Sequence, residues 1–231
     1  MKPIKINSVC SFIDKVMSNT EDGIDKIYRG HSSCAYELKS SLGRLKGYTK
    51  DLKDLEMSLF LEFKKRYRPY TEEHPETDLE LLFMAQHYGV PTRLLDWTFN
   101  PLIALYFASA PNNDNGKVYS ITLRKSFDVD ELEDLSISMK NIQNIDRCKY
   151  VVPYYTDVRY LNQKSIFLMC NHPGNKFIFA DKEPVYIIKN EAKLRIRKEL
   201  AILGIDESFV FPTLDSLGKD VKEIVLRKTK K

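Results

Sequence analysis

The hydrophobic period of this chain changes once, and that change limits the folds open to it. Up to about residue 110, apolar residues recur at helical spacing. Val9, Phe12, Ile13, Val16 and Met17 follow a capping Asn7 or Ser8, and Leu52, Leu55, Leu59, Phe60 and Phe63 share one face over 51–67. Further helices are predicted over 78–88, stopped by Gly89 and Pro91, and over 101–110, where Asn100 can cap and Pro101 suits the first helical position. A short strand at 26–30 follows a turn at Asp22-Gly23, and 31–49 reads as an ordered loop. Beyond the polar turn at 111–116, short β-type runs take over at 118–123, 150–154, 165–170, 177–179 and 185–188. The Asn-His-Pro-Gly-Asn turn at 171–175 is expected to join two of these in a hairpin, and helices over 190–203 and about 214–227 close the chain. The class is therefore α+β, with a helix-rich N-terminal half packed on a mostly antiparallel sheet in the C-terminal half.

A chain of 231 residues, set against about 150 per domain, favours one large domain, placed over 1–226 with a basic, disordered tail at 227–231. Its 43% apolar content, 13 Tyr and 12 Phe exclude disorder throughout. No apolar run reaches the roughly 18 residues of a membrane span, and MKPIKINSVC lacks a secretory h-region, so a cytoplasmic protein with no membrane partner is expected. The net charge of +4 is accounted for by 221–231, where five basic residues face one acidic residue, Glu223. Nucleic acid could be met only through that tail. Cys10, Cys34, Cys148 and Cys170 are scattered, without metal-ligand spacing, and read as reduced, partly buried thiols.

Three segments carry more polar groups than packing requires. In Tyr28-Arg29-Gly30-His31 a strand ends in a guanidinium suited to phosphate oxygens, followed by a glycine that permits close backbone approach; the plainer alternative pairs Arg29 with a core carboxylate. From Gln86 to Asn100, fifteen positions hold Gln86, His87, Thr92, Arg93, Asp96, Trp97, Thr98 and Asn100. Groups so interleaved with Leu94 and Leu95 either pair internally, as Arg93 with Asp96, or face a ligand. The third, Arg159-Tyr160-Leu161-Asn162-Gln163-Lys164-Ser165, reads on its residues alone as a polar surface turn. Signatures of P-loop ATPases, Rossmann dehydrogenases, zincins and α/β-hydrolases are absent from the sequence.

These residues resemble the FRG-domain family, named for its Phe/Tyr-Arg-Gly motif, here Tyr28-Arg29-Gly30. Residues 40–44 (Ser-Ser-Leu-Gly-Arg), Glu56 and Phe63 on a helix, the stretch 85–108, Gln163 with Phe167, and Gly204-Ile205 before Phe211-Pro212 follow the family pattern in order. The resemblance implies a bacterial or phage protein with a role as a toxin or anti-phage defence effector. A more distant likeness to ADP-ribosyltransferase folds implies a split sheet and a site for NAD⁺ or ADP-ribose. NAD⁺ would be a co-substrate rather than a tightly bound cofactor, with a protein as a further partner. It implies Arg29, His87, Asp96 and Gln163 as catalytic residues. Tyr28, Arg29, Gly30, His31, Arg93, Trp97, Thr98 and Tyr106 would then hold the nucleotide: Arg29 on the pyrophosphate, Tyr106 on the nicotinamide, Gln163 on the ribose hydroxyls. A transferase of that kind has a Glu where this chain has Gln163, with Glu183 and Glu199 as candidate substitutes. The alternative is a recognition module without catalysis.

Overall fold

A computed structural model describes residues 3–20, 25–45, 47–49, 51–123, 129–154, 157–175, 177 and 183–229. The turn at Asp22-Gly23 and most of the run at 177–179 lie outside the described residues, as do 230–231 and the side chains of 227–229.

Among the described residues, eight strands form one mixed sheet. In chain order they are β1 (Ile4–Ile6), β2 (Lys26–His31), β3 (Leu94–Thr98), β4 (Gly116–Thr122), β5 (Val129–Glu131), β6 (Cys148–Val151), β7 (Ser165–Met169) and β8 (Val185–Ile188). Their spatial order is β1-β8-β4-β2-β3-β7-β6-β5. Only the two edge pairings, β1–β8 and β5–β6, are parallel. The class is α+β, but the expected division into a helical first half and a stranded second half does not hold. Strands β2 and β3, both from the first half, occupy the middle of the sheet. Strand β7 pairs with β3 on one edge and β6 on the other, and the run expected to form its hairpin lies mostly outside the described residues.

The helices are closed by local chemistry. Helix α1 (Val9–Ser18) begins with a capping box on Ser8 and Ser11, and α2 (Leu52–Arg66) with Asp51 accepting from Lys53 and Asp54 N–H groups. Helix α3 (Asp78–His87) has a second capping box, Thr77 with Glu80. It stops at Gly89, whose φ of 87° suits a left-handed C-terminal residue, with Val90 N–H bonding back to Ala85 O. Helix α4 (Pro101–Ala108) is capped by Asn100. Two short helices follow, α5 (Met139–Ile142) and α6 (Val158–Gln163), then α7 (Asn190–Ile202), α8 (Glu207–Val210) and α9 (Leu214–Thr229).

Alternation along the strands sends side chains to two faces. Tyr28, Val118, Tyr186 and Ile188 pack with residues of α1, α4 and α7 in one cluster. Leu94, Phe167 and Met169 join α2 and α3 in a second. Since Tyr28 pairs with Thr98, and Leu94, Asp96 and Thr98 alternate along β3, both clusters lie on one face with Asp96 and Thr98 at the seam between them. Ile27, Leu95, Trp97, Ile121, Ile166 and Leu168 form the opposite face, partly covered by Leu38 from the 31–49 loop. Cys148 and Cys170 are buried as expected, whereas Cys10 and Cys34 are exposed. Among the described residues no helix is long and apolar enough to cross a membrane.

Candidate functional site

The sheet opens at its centre. Strand β2 follows β4 residue for residue from Lys26 to His31, and β3 follows β7 from Leu94 to Thr98. Between β2 and β3 the ladder holds only at Tyr28–Thr98, so beyond that pair the strands part. Gly30 keeps β2 against α4: a Cβ there would overlap the Ala104 carbonyl oxygen and stand 2.8 Å from Ala108 N. The opening leads into a cavity of about 230 Å³ on the helix-covered face, walled by Tyr28 to Gly30, the Asp96–Thr98 edge, Ala104 and Phe107 of α4, and Arg159, Tyr160 and Gln163 of α6.

Arg29 spans the gap. Its Nη1 donates to the Asp96 carbonyl oxygen and lies 3.6 Å from Asp96 Oδ2. Its Nε donates to His31 Nε2 at 3.1 Å, while Nη2 has no hydrogen-bond partner among the described residues. Burial pulls the guanidinium below its ordinary pKa, and Asp96 partly restores it. Burial, then the cations of Arg29 and Lys117, lowers the His31 pKa to about 3. That imidazole is therefore neutral near pH 7, as it must be to accept a guanidinium proton. The Asp96 side chain is 62% exposed and held by Gln86 Nε2, 2.7 Å from Oδ1. Gln86 is fixed in turn by the Thr92 hydroxyl, which donates to Oε1.

The far wall comes from the start of α6. Asp157 caps the helix through Oδ1, which accepts from Arg159 N–H at 2.8 Å. The Arg159 guanidinium lies over the Phe211 ring at 5.1 Å and has no carboxylate within 4 Å among the described residues. Tyr160 donates its hydroxyl to Phe83 O at 3.2 Å, and burial raises its pKa. Gln163 donates Nε2 to Val210 O at 2.8 Å, and its own carbonyl accepts from Thr98 Oγ1 at 2.5 Å. His87 stands where this cavity meets a second of about 550 Å³, which shares His87 and Tyr160 as walls. Burial, reinforced by Arg159 and opposed by Asp157, lowers the His87 pKa.

Arg29, His87, Asp96 and Gln163, together with Tyr28, Gly30, Trp97 and Thr98, thus line one cleft although they are spread over 136 positions of sequence. The Trp97 indole nitrogen is buried without a hydrogen-bond partner among the described residues. Three expected ligand residues are placed elsewhere. His31 lies behind Arg29 rather than in the cavity wall. Arg93 is fully buried on the second cluster, its Nε 2.8 Å and its Nη2 2.5 Å from the Glu56 carboxylate, with Nη1 donating to Ile142 O and Cys170 O. All its donors are directed inward, and the pair Arg93–Asp96 is not formed. Tyr106 projects from α4 into the first cluster, covered by Arg197, whose guanidinium carbon is 3.6 Å from the ring centroid. Neither candidate carboxylate reaches the cleft: Glu183 lies 3.7 Å from Lys26, and Glu199 accepts from Val9 N–H.

Arg159 and Tyr160 are the site residues that the turn reading of 159–165 missed. Asp157 two residues before Arg159 is an N-cap signal, and Arg159 and Gln163 stand four apart, on one helical face. Six helical residues are too few for apolar periodicity to register.

Residues 25–117, which contain β2, the 31–49 loop, α2, α3, β3 and α4, match the family model of the FRG domain. The chain therefore carries an FRG domain. No curated protein and no solved structure matches it.

Proposed function

We propose that the opening between β2 and β3 binds the phosphate-bearing part of a nucleotide, NAD⁺ or ADP-ribose. The observation that carries this reading is the pair of guanidiniums at one cavity. Arg29 has an uncommitted nitrogen, and Arg159 has no carboxylate partner among the described residues. Guanidinium nitrogens left free in this way give charge-assisted hydrogen bonds to phosphate oxygens, and partial burial strengthens each contact. The volume of about 230 Å³ is below the ~300–1,000 Å³ typical of a site for a drug-sized ligand. It suits a phosphate with its sugar, and the remainder of a dinucleotide lies outside it. Titration calorimetry with ADP-ribose tests the assignment: measurable binding by the intact chain, weakened roughly 30-fold in Arg29→Ala with folding unchanged, is the expected result. Equal affinity of the two proteins would remove it.

A second reading, recognition without chemistry, is favoured by Gln163. One of its two amide protons is given to Val210 O, which fixes the side chain as an uncharged group against α8 rather than as a base. Nicotinamide release from NAD⁺ separates the two readings. The cellular role as a toxin or defence effector is tested by expression in bacteria, where growth arrest relieved by Arg29→Ala is the expected outcome.

A further inference from the structure

His87 is the one imidazole shared by both cavities, and its surroundings are unlike those of a packing residue. Its Nδ1 stands 3.3 Å from Asp157 Oδ2, and Nε2 makes no hydrogen bond among the described residues. Asp157 is itself immobilised, because its other oxygen caps α6. The rings of Tyr88, at 4.9 Å, and Tyr160, at 6.1 Å, meet the imidazole edge-on and hold its plane. One carboxylate thus performs two tasks on opposite oxygens, starting the helix that carries Arg159 and orienting the imidazole beside it.

We infer that His87 is a general base at the junction of the two cavities, with Asp157 as its positioning residue, and that the larger cavity admits the hydroxyl compound whose proton it takes. This inference rests on the NAD⁺ reading of the cleft. In this role Asp157, 3.3 Å from Nδ1, takes the Nδ1 proton as a hydrogen bond when the site engages its substrate, and Nε2 is then the basic nitrogen. In the step this arrangement serves, the O–H bond of water or an alcohol breaks and its proton passes to Nε2. The oxygen forms a bond to C1′ of the nicotinamide riboside. The C1′–N bond breaks, its electron pair leaving with neutral nicotinamide, and the imidazolium, held by Asp157, returns its proton to water. No oxidant or further reactant is required. Burial and then Arg159 lower the His87 pKa, while Asp157 and Glu73 raise it. A carboxylate in place of Gln163 is then unnecessary for proton removal.

The test uses the full chain and one conservative variant, Asp157→Asn, which keeps an N-cap as good as Asp. Long-range ¹H–¹⁵N spectra, with the His87 signals assigned by their loss in His87→Gln, should show the Nδ1–H tautomer in the native protein. Asp157→Asn should shift it toward Nε2–H. Nicotinamide release should fall about 10- to 100-fold in kcat in Asp157→Asn, with KM and ADP-ribose affinity within about threefold. His87→Gln should abolish the acid limb of the pH–rate profile. A native Nε2–H tautomer, or a tautomer indifferent to residue 157, overturns the pairing. A native protein that binds ADP-ribose yet releases no nicotinamide overturns the general base and leaves the binding site standing. Failure to bind ADP-ribose at all removes the binding site instead, and the tautomer alone then decides the pair.

Discussion

Two arginine–carboxylate pairs in this chain show what burial does to similar groups. Arg93 and Glu56 meet at the base of the second cluster, 0% and 1% exposed at their side chains, with Arg93 donors shared among one carboxylate and two carbonyls. Gln143 adds a further donor to Glu56, 3.3 Å from Oε2. Arg29 and Asp96 meet at the mouth of the cleft, where the carboxylate is 62% exposed and the ion contact is 3.6 Å. The first pair is closed: every strong donor has an internal acceptor, and nothing remains for a ligand. The second is open at Nη2 and at the carboxylate's solvent side. A motif arginine is thus assigned to support or to recognition by its acceptors, and only the surrounding fold supplies those.

The largest expected contrast between the two pairs is in stability. Arg93→Ala leaves Glu56 charged and buried, and should cost about 3–5 kcal/mol, read as a lowered urea midpoint. Arg29→Ala should leave that midpoint nearly unchanged; equal losses would mean that the cleft is part of the core. Next comes pH. His31, behind Arg29, ordinarily titrates near 6.5 but near 3 in the fold, so the unfolded chain binds the extra proton. Its contribution is complete above about pH 6.5 and is lost as pH falls toward 3. The loss should be about 2–3 kcal/mol between pH 6 and pH 4, and absent in His31→Gln. For ligand affinity, Arg29→Ala should cost about 2 kcal/mol with ADP-ribose, the scale of a charged hydrogen bond, or roughly 30-fold in Kd. The smallest effect belongs to Arg159→Ala, about 1 kcal/mol in binding with the melting temperature retained, since that side chain rests on Phe211 without a carboxylate partner among the described residues. An Arg159→Ala loss larger than that of Arg29→Ala would move the anchoring phosphate to the α6 side of the cleft.

Long helices were legible because many residues vote on one period and caps mark their ends: Ser8 and Asn100 stand where the structure uses them. Sequence reading did not resolve the short elements β1, β3, β5, α5, α6 and α8, and two of these, β3 and α6, supply walls of the cleft. In Leu94–Thr98 the pattern of a buried strand is interrupted by Asp96, which is outward-facing for its role at the seam. In Val158–Gln163 the helix is shorter than two turns and takes its order from Asp157 and from contacts with α8. Functional residues break the periodicity by which elements are found, so the site is the least readable part of the fold.

Local chemistry along the chain was enough to establish the α+β class, most helix ends and the set of residues too polar for mere packing. It could not say which of these face the same space. Arg93 and Arg29 occupy equally conspicuous motifs, yet one is enclosed by Glu56 from a helix 37 positions away and the other meets Asp96 across 67 positions. Helix caps depend on neighbours within a few positions of the chain, which a sequence displays. The partners of a guanidinium depend on which distant strands stand side by side, and here the parting of β2 from β3 settles what the cleft arginine can reach.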